Sequence, residues 1–228
     1  MVKEFLAGYT IWGFDYLTIS YLFTEIFIAN EYHFQPSTNK PVIIDCGSNI
    51  GMSVLYFKKL FPDSKIIAIE ANPHAFKLLS ANMKINKVSN VELHNVALFD
   101  KETEVSFFIG DNIGTLLASM KSERGGNTEL KVKAQKLSYY LKNAGKVDLI
   151  KMDVEGAEID IIQDLFETAS INQAKEYIIE YHHNMSEENS RLSSFLQKFE
   201  VNGFKYNIQG AFSNESSFQD LLIHFYKK

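Results

Sequence analysis

The chain has 228 residues, of which 46% are hydrophobic and 22% charged, with a formal net charge of −5. That balance suits one soluble globular domain able to bury a full core, and it excludes disordered, collagen-like and disulfide-scaffold chains. The 23 basic residues are 21 Lys and two Arg, a poor set for gripping nucleic-acid backbone, and the one cysteine, Cys46, can form neither an intrachain disulfide nor a multi-cysteine zinc site.

In chain order, residues 1–40 read as a mostly helical extension. Ile19, Leu22, Phe23, Ile26 and Phe27 make a single apolar stripe at helical spacing. The N-terminal segment is interrupted by Glu4, Asp15 and Glu25 and lacks the apolar core and cleavage site of a signal peptide. No other run is apolar and long enough to span a membrane, so a cytoplasmic protein is expected. The aromatic residues of this segment, among them Trp12, Phe14 and Tyr21, suit a cap over a site, and they also allow a homodimer face.

From Pro41 the pattern alternates between strand and helix, and residues 41–228 are expected to form the main domain. Val42–Ile44 is a short apolar run before a glycine turn, followed by a helix over 53–61. Ile66–Ile69 repeats the pattern, with a helix over 74–86, and Val91–Leu98 is the third strand. A further extended piece is expected over 104–109, and 110–128 reads as a loop long enough to serve as an acceptor-binding lid. A helix over 137–143 closes on Gly145. Asp148–Met152 is the fourth strand, a helix runs over about 157–167 and Tyr177–Tyr181 is the fifth strand. A helix over 187–200 then leads to two closing strands near 204–209 and 219–226. Short strands buried on both faces and alternating with helices mean a parallel sheet wrapped by helices, with an antiparallel edge. Such folds bind ligands beyond the carboxyl ends of the strands, where strand order reverses.

Two motifs fall at that place. Asp45-Cys46-Gly47-Ser48-Asn49-Ile50-Gly51 follows the first strand and opens a helix. Gly47 permits a tight turn and close approach of a ligand, Gly51 permits close packing, and Asp45 places a carboxylate at the strand end. The third glycine of the dinucleotide fingerprint is missing, and so is the Gly-Lys of a P-loop. Glu70 ends the second strand, about 20 positions past the glycines, where a carboxylate accepts hydrogen bonds from ribose hydroxyls.

Four blocks together resemble the FkbM-type family of class I S-adenosylmethionine-dependent methyltransferases: Val42–Gly51, Ile69-Glu70-Ala71-Asn72-Pro73, Asn95-Val96-Ala97-Leu98 and Leu149–Glu158. The last, I-K-x-D-V-E-G-A-E, is the most specific of the four. The resemblance implies a Rossmann-like, doubly wound, mostly parallel seven-stranded sheet with an antiparallel C-terminal edge strand and a helical N-terminal extension. It further implies S-adenosyl-L-methionine as methyl donor, bound by Asp45, Gly47, Ser48, Asn49, Gly51, Glu70, Ala71 and Ala97. The implied acceptor is a hydroxyl of a sugar, glycan or other secondary metabolite.

In-line methyl transfer requires alignment of the acceptor oxygen and removal of its proton. Asp153 and Glu155 at the end of the fourth strand offer carboxylates for this. Lys151 shares strand parity with Asp153, and a lysine in a buried strand needs a partner, for which Asp153 or Glu155 is at hand. His182, at the end of the fifth strand, is a further candidate base. Glu158 reads as a helix-start carboxylate favoured by the dipole. Asp153, Glu155, Glu180 and His182 suit a magnesium site in residue type, but no ligand spacing supports one, and no metal is expected. The alternatives to a methyltransferase are a domain that binds the cofactor without turnover and a nicotinamide-dependent oxidoreductase.

Overall fold

The computed structural model describes residues 1–110, 119–120, 126–184, 192–210 and 219–227. Its centre is a seven-stranded sheet in the order β11-β12-β10-β9-β3-β4-β5. The strands are β3 (Val42–Cys46), β4 (Lys65–Ile69), β5 (Val91–His94), β9 (Val147–Met152), β10 (Ala174–His183), β11 (Lys205–Gly210) and β12 (Gln219–Tyr226). β5, β4, β3, β9 and β10 run parallel, and β12 is antiparallel to both β10 and β11. Chain order reverses between β3 and β9, so the crevice beyond their carboxyl ends is where such a sheet takes its ligand.

Alternation along the strands divides the core. Ile44, Cys46, Ile150, Met152 and Ile179 point to one face, covered by α4 (Leu137–Ala144), α5 (Glu158–Glu167) and α6 (Leu192–Glu200). Ile43, Ile66, Leu149 and Ile178 point to the other, covered by α2 (Met52–Leu60), α3 (Pro73–Ile85) and the N-terminal segment. Aromatic side chains fill parts of both layers; in the first, Phe199 stacks on Phe225 at 3.7 Å and Tyr177, Tyr181 and Phe195 pack around them. Cys46 is fully buried there, and burial pushes its thiol pKa up, as befits a packing residue.

The N-terminal 40 residues are not mostly helical. They open with a hairpin of β1 (Val2–Leu6) and β2 (Tyr9–Gly13), turned through Ala7 and Gly8, both at positive φ. This two-residue turn matches the twist of a hairpin. Only then comes α1 (Tyr16–Phe23), capped by Asp15 and continued by a π-helical turn over Thr24–Ile28. Ile19 and Ile26 of the expected stripe are buried in the core of the main sheet.

The third strand also differs from expectation. It splits into β5 and the short β6 (Ala97–Leu98), because β6 leaves the main sheet and joins β7 (Thr103–Ile109) and β8 (Thr128–Gln135) in a second, three-stranded sheet. β8 has no counterpart in the sequence reading. Residues 111–118 and 121–125, most of the expected lid, lie outside the described residues, as does 185–191 at the start of the expected 187–200 helix.

Candidate active site

A cleft opens beyond β3, β4 and β9, the place where a sheet of this order takes its ligand. Its walls include Phe14, Gly47, Asn49, Ile69, Glu70, Ala71, Asn72, Val96, Ala97, Leu98, Asp153, Val154 and Glu155.

The glycine turn is shaped by its neighbours. Gly47 and Ser48 donate their N–H groups to the Ile69 carbonyl at 2.9 and 3.0 Å, which pulls the end of β3 toward β4. A Cβ on Gly47 would stand 1.7 Å from the Asp153 carbonyl oxygen, and its φ is +79°. The glycine is therefore demanded by contact with the fourth-strand turn as well as by backbone conformation. A Cβ on Gly51 would meet the Leu79 side chain at 2.6 Å, so this residue serves packing onto α3.

Glu70 is held by backbone. Its carboxylate accepts N–H groups from Asn49 at 2.8 Å and Asn72 at 2.7 Å. Burial dominates those bonds and pushes its pKa up to about 7. Asn72 then caps α3, accepting from His74 N–H at 2.9 Å with Pro73 at the first helical position. Asn95 donates to the Glu70 carbonyl at 2.8 Å, which ties the third motif block to the second.

Lys151 is buried, and its Nζ donates to the Gly47 carbonyl at 2.8 Å. Asp45 lies 3.4 Å and Asp153 3.8 Å from the same nitrogen, and the Tyr32 ring centroid is 5.1 Å away. Asp45 is thus a nearer partner than Asp153, which with Glu155 makes the pair of candidates expected from sequence. Burial opposes the ammonium charge, but Asp45, Asp153 and Glu180 outweigh it and hold its pKa above the ordinary value. Asp45 also accepts from the Ser53 hydroxyl at 2.6 Å.

The acidic turn after β9 closes the cleft. Burial raises Asp153 to a pKa of about 6, against the pull of Lys151, with Glu155 adding to the rise. Glu155 sits at φ +55°. Its backbone carbonyl accepts from the Ser119 hydroxyl at 2.5 Å, and its Oε2 is 3.2 Å from His182 Nε2. Glu158, read from sequence as a helix-dipole carboxylate, is buried and lies 2.8 Å from His182 Nδ1.

Of the residues singled out in sequence, Gly47, Asn49, Glu70, Ala71, Ala97, Asp153 and Glu155 line the cleft. Asp45, Ser48, Gly51, Lys151 and His182 stand behind its wall. Phe14, named in sequence among the aromatic residues that suit a cap over a site, also lines the cleft. Sequence reasoning passed over Asn72, Val96, Leu98 and Val154 as site residues, although they lie in or beside the quoted motif blocks. Among the described residues, Asp153, Glu155 and His182 bring one oxygen or nitrogen each within 4.8 Å of one another.

A parallel sheet whose order reverses beside a glycine turn, finished by one antiparallel strand slipped in next to the edge, is the frame of a class I Rossmann-like methyltransferase. Solved structures share it. The AdoMet complex of M. jannaschii TYW2 is 16% identical with a TM-score of 0.52 over 100% of this chain and 86% of that one. The fibrillarin/Nop5p complex gives 0.53 at 14% identity, over 99% and 97%. The chain belongs to the FkbM methyltransferase family, whose domain model, described as "Methyltransferase FkbM domain", matches residues 45–206. "Methyltransferase 1" of Beauveria bassiana is 31% identical over 65% of this chain and 68% of its own length. The "2-O-methyltransferase NoeI" of Sinorhizobium fredii is 28% identical over 54% and 56%. The protein is a methyltransferase, and the oxidoreductase reading falls. Among the described residues, no helix is long and apolar enough to cross a membrane.

Proposed function

We propose that this methyltransferase takes its methyl group from S-adenosyl-L-methionine and delivers it to a hydroxyl of a sugar, glycan or other small metabolite. The observation that carries the donor assignment is Glu70. Its carboxylate is fixed by two backbone N–H groups in a cleft whose apolar walls include Ile69, Ala71, Val96, Ala97 and Leu98. A carboxylate acceptor so placed fits the hydroxyls of a ribose beside a flat base. When bound, the sulfonium supplies an electrophilic methyl group.

The chain's own residues do the rest. Lys151 and Asp45 hold the Gly47 turn from behind and do not line the cleft. Asp153 lines it with a carboxylate whose pKa of about 6 suits a group that takes the acceptor's proton near neutrality. Transfer to oxygen is supported by this base and by the relative named as a 2-O-methyltransferase.

Calorimetric titration with S-adenosylhomocysteine tests the donor. Binding in the micromolar range is expected, and no heat at millimolar ligand overturns it. Transfer of a labelled methyl group to a panel of glycans and hydroxylated metabolites then tests the acceptor class. Label appearing only on amines or thiols overturns transfer to oxygen.

A further inference from the structure

His182 is bracketed by two carboxylates from one short turn. Its side chain is fully enclosed, with Nδ1 2.8 Å from Glu158 Oε1 and Nε2 3.2 Å from Glu155 Oε2. A neutral imidazole carries one N–H and one lone pair. With an anion against each nitrogen, a neutral ring would set its lone pair against a carboxylate oxygen. An imidazolium instead donates to Glu158 through Nδ1 and sets its protonated Nε2 within ion-pair range of Glu155.

We propose that Glu158 holds His182 as a standing imidazolium, and that the two act as positioning residues that clamp the 153–157 turn and place a fixed positive charge behind Asp153. This rests on the reading of Asp153 as the base, and it takes His182 out of the role of proton acceptor. Glu158 is suited to the task because the same Oε1 accepts the Gly156 N–H at 2.9 Å. One oxygen thereby secures both the ring and the turn that carries Glu155 at φ +55° and Gly156 at +105°.

The titratable groups facing the ring come from every side. Asp153 and Glu155 stand on the turn, Glu158 on α5, Glu180 on β10 with the same strand parity, and Asp220 on β12 at 3.8 Å. Lys151 is the cation nearest to Asp153 on β9. Burial opposes protonation of the ring, but Glu158 and Glu155 outweigh it and hold the pKa well above the ordinary histidine value. The resulting cation in turn helps Asp153 stay ionised.

Long-range proton–nitrogen NMR of histidine-labelled protein, with His182→Gln to assign the ring, tests this. In the wild type both His182 nitrogens are expected to keep imidazolium shifts through about pH 8. In Glu158→Gln the midpoint is expected to fall by about one unit or more, a tenfold loss of proton affinity. Glu155→Gln, on the more open side, is expected to give a smaller drop and guards against a misfolded Glu158 variant. A neutral His182 at pH 7 in the wild type, or midpoints unmoved in both variants, overturns the proposal. Failure of the wild type to bind S-adenosylhomocysteine would strike the donor assignment alone, since the NMR midpoint is measured without ligand.

Discussion

Asn82 pairs with Trp12 as one strand pairs with another. Its Oδ1 accepts the Trp12 N–H at 2.7 Å, and its Nδ2 donates to the Trp12 carbonyl at 2.9 Å. One helical turn on, Asn86 repeats the exchange with Thr10 at 2.9 and 2.7 Å. Asn82 of α3 and Asn86 at its C-terminal cap thus stand in for a missing neighbour on the free edge of β2. Asn82 Nδ2 also donates to the Ile50 carbonyl at 2.8 Å, which binds the hairpin to the glycine loop.

Replacing Asn82 with Ala strips partners from three backbone groups, the half-buried N–H and carbonyl of Trp12 and the buried carbonyl of Ile50. We expect a loss of about 2–3 kcal/mol in urea unfolding and weaker S-adenosylhomocysteine binding through the loosened Ile50 loop. Asn86→Ala, which does not reach that loop, should cost about 1 kcal/mol and leave binding unchanged.

The two glycines of the loop should separate in their effects. Gly47→Ala drives a methyl group into the backbone oxygen of Asp153, which has nowhere to go. Calorimetry should show S-adenosylhomocysteine binding weakened by tenfold or more, about 1.4 kcal/mol at the least. Gly51→Ala meets flexible ends of Leu79 and Met83 and should bind within a smaller factor, though its φ of +89° will lower the melting temperature.

Asp153→Asn should preserve donor binding and abolish turnover. A lost general base costs about 10²- to 10⁴-fold in rate, read as labelled methyl transferred per minute. In the wild type, kcat/KM should rise with pH through about 6, as Asp153 gives up its proton.

Ligand binding and stability should respond to pH in opposite ways. Glu70, Asp153 and Glu180 have pKa values raised to about 7, 6 and 9, chiefly by burial for the first two and by the Asp153 charge for Glu180. The folded chain therefore binds more protons than the unfolded chain between the ordinary carboxylate range and these values, and stability falls as pH rises. His182 acts in the same direction, since a raised histidine pKa stabilises the fold at low pH. The apo protein should melt several degrees higher at pH 5.5 than at pH 8.5 by scanning calorimetry. S-Adenosylhomocysteine should bind more tightly as pH rises from 6 to 8, and Glu70→Gln should flatten that dependence.

What the sequence disclosed is what short-range patterns encode. Val42–Ile44 and Ile66–Ile69 are apolar runs stopped by turn residues, and the glycines and Glu70 stand at the tips of those strands. The hairpin escaped because its Ala7-Gly8 turn lacks the Asn-Gly or Asp-Gly signal and its edge is completed by α3, far along the chain. β8 escaped although Leu130, Val132 and Ala134 alternate with exposed Lys131 and Lys133, the pattern of a strand with one face covered; its partners β7 and β6 lie apart from the main sheet. In the site, Lys151 announced a need for a partner without naming Asp45, which lies on a different strand. Glu158 looked like any acidic residue at a helix start, because the histidine that gives it meaning is 24 residues away.

The bond from Lys151 to the Gly47 carbonyl, set beside the contact of Gly47 with the Asp153 carbonyl, has a thermodynamic corollary. The loop that would cradle the donor and the turn that would receive the acceptor share a backbone contact and a common cation. A ligand that settles one of them also settles the other, so the two substrates should bind with positive cooperativity. Linkage makes that effect mutual: whatever factor S-adenosylhomocysteine contributes to acceptor affinity, the acceptor must return to S-adenosylhomocysteine.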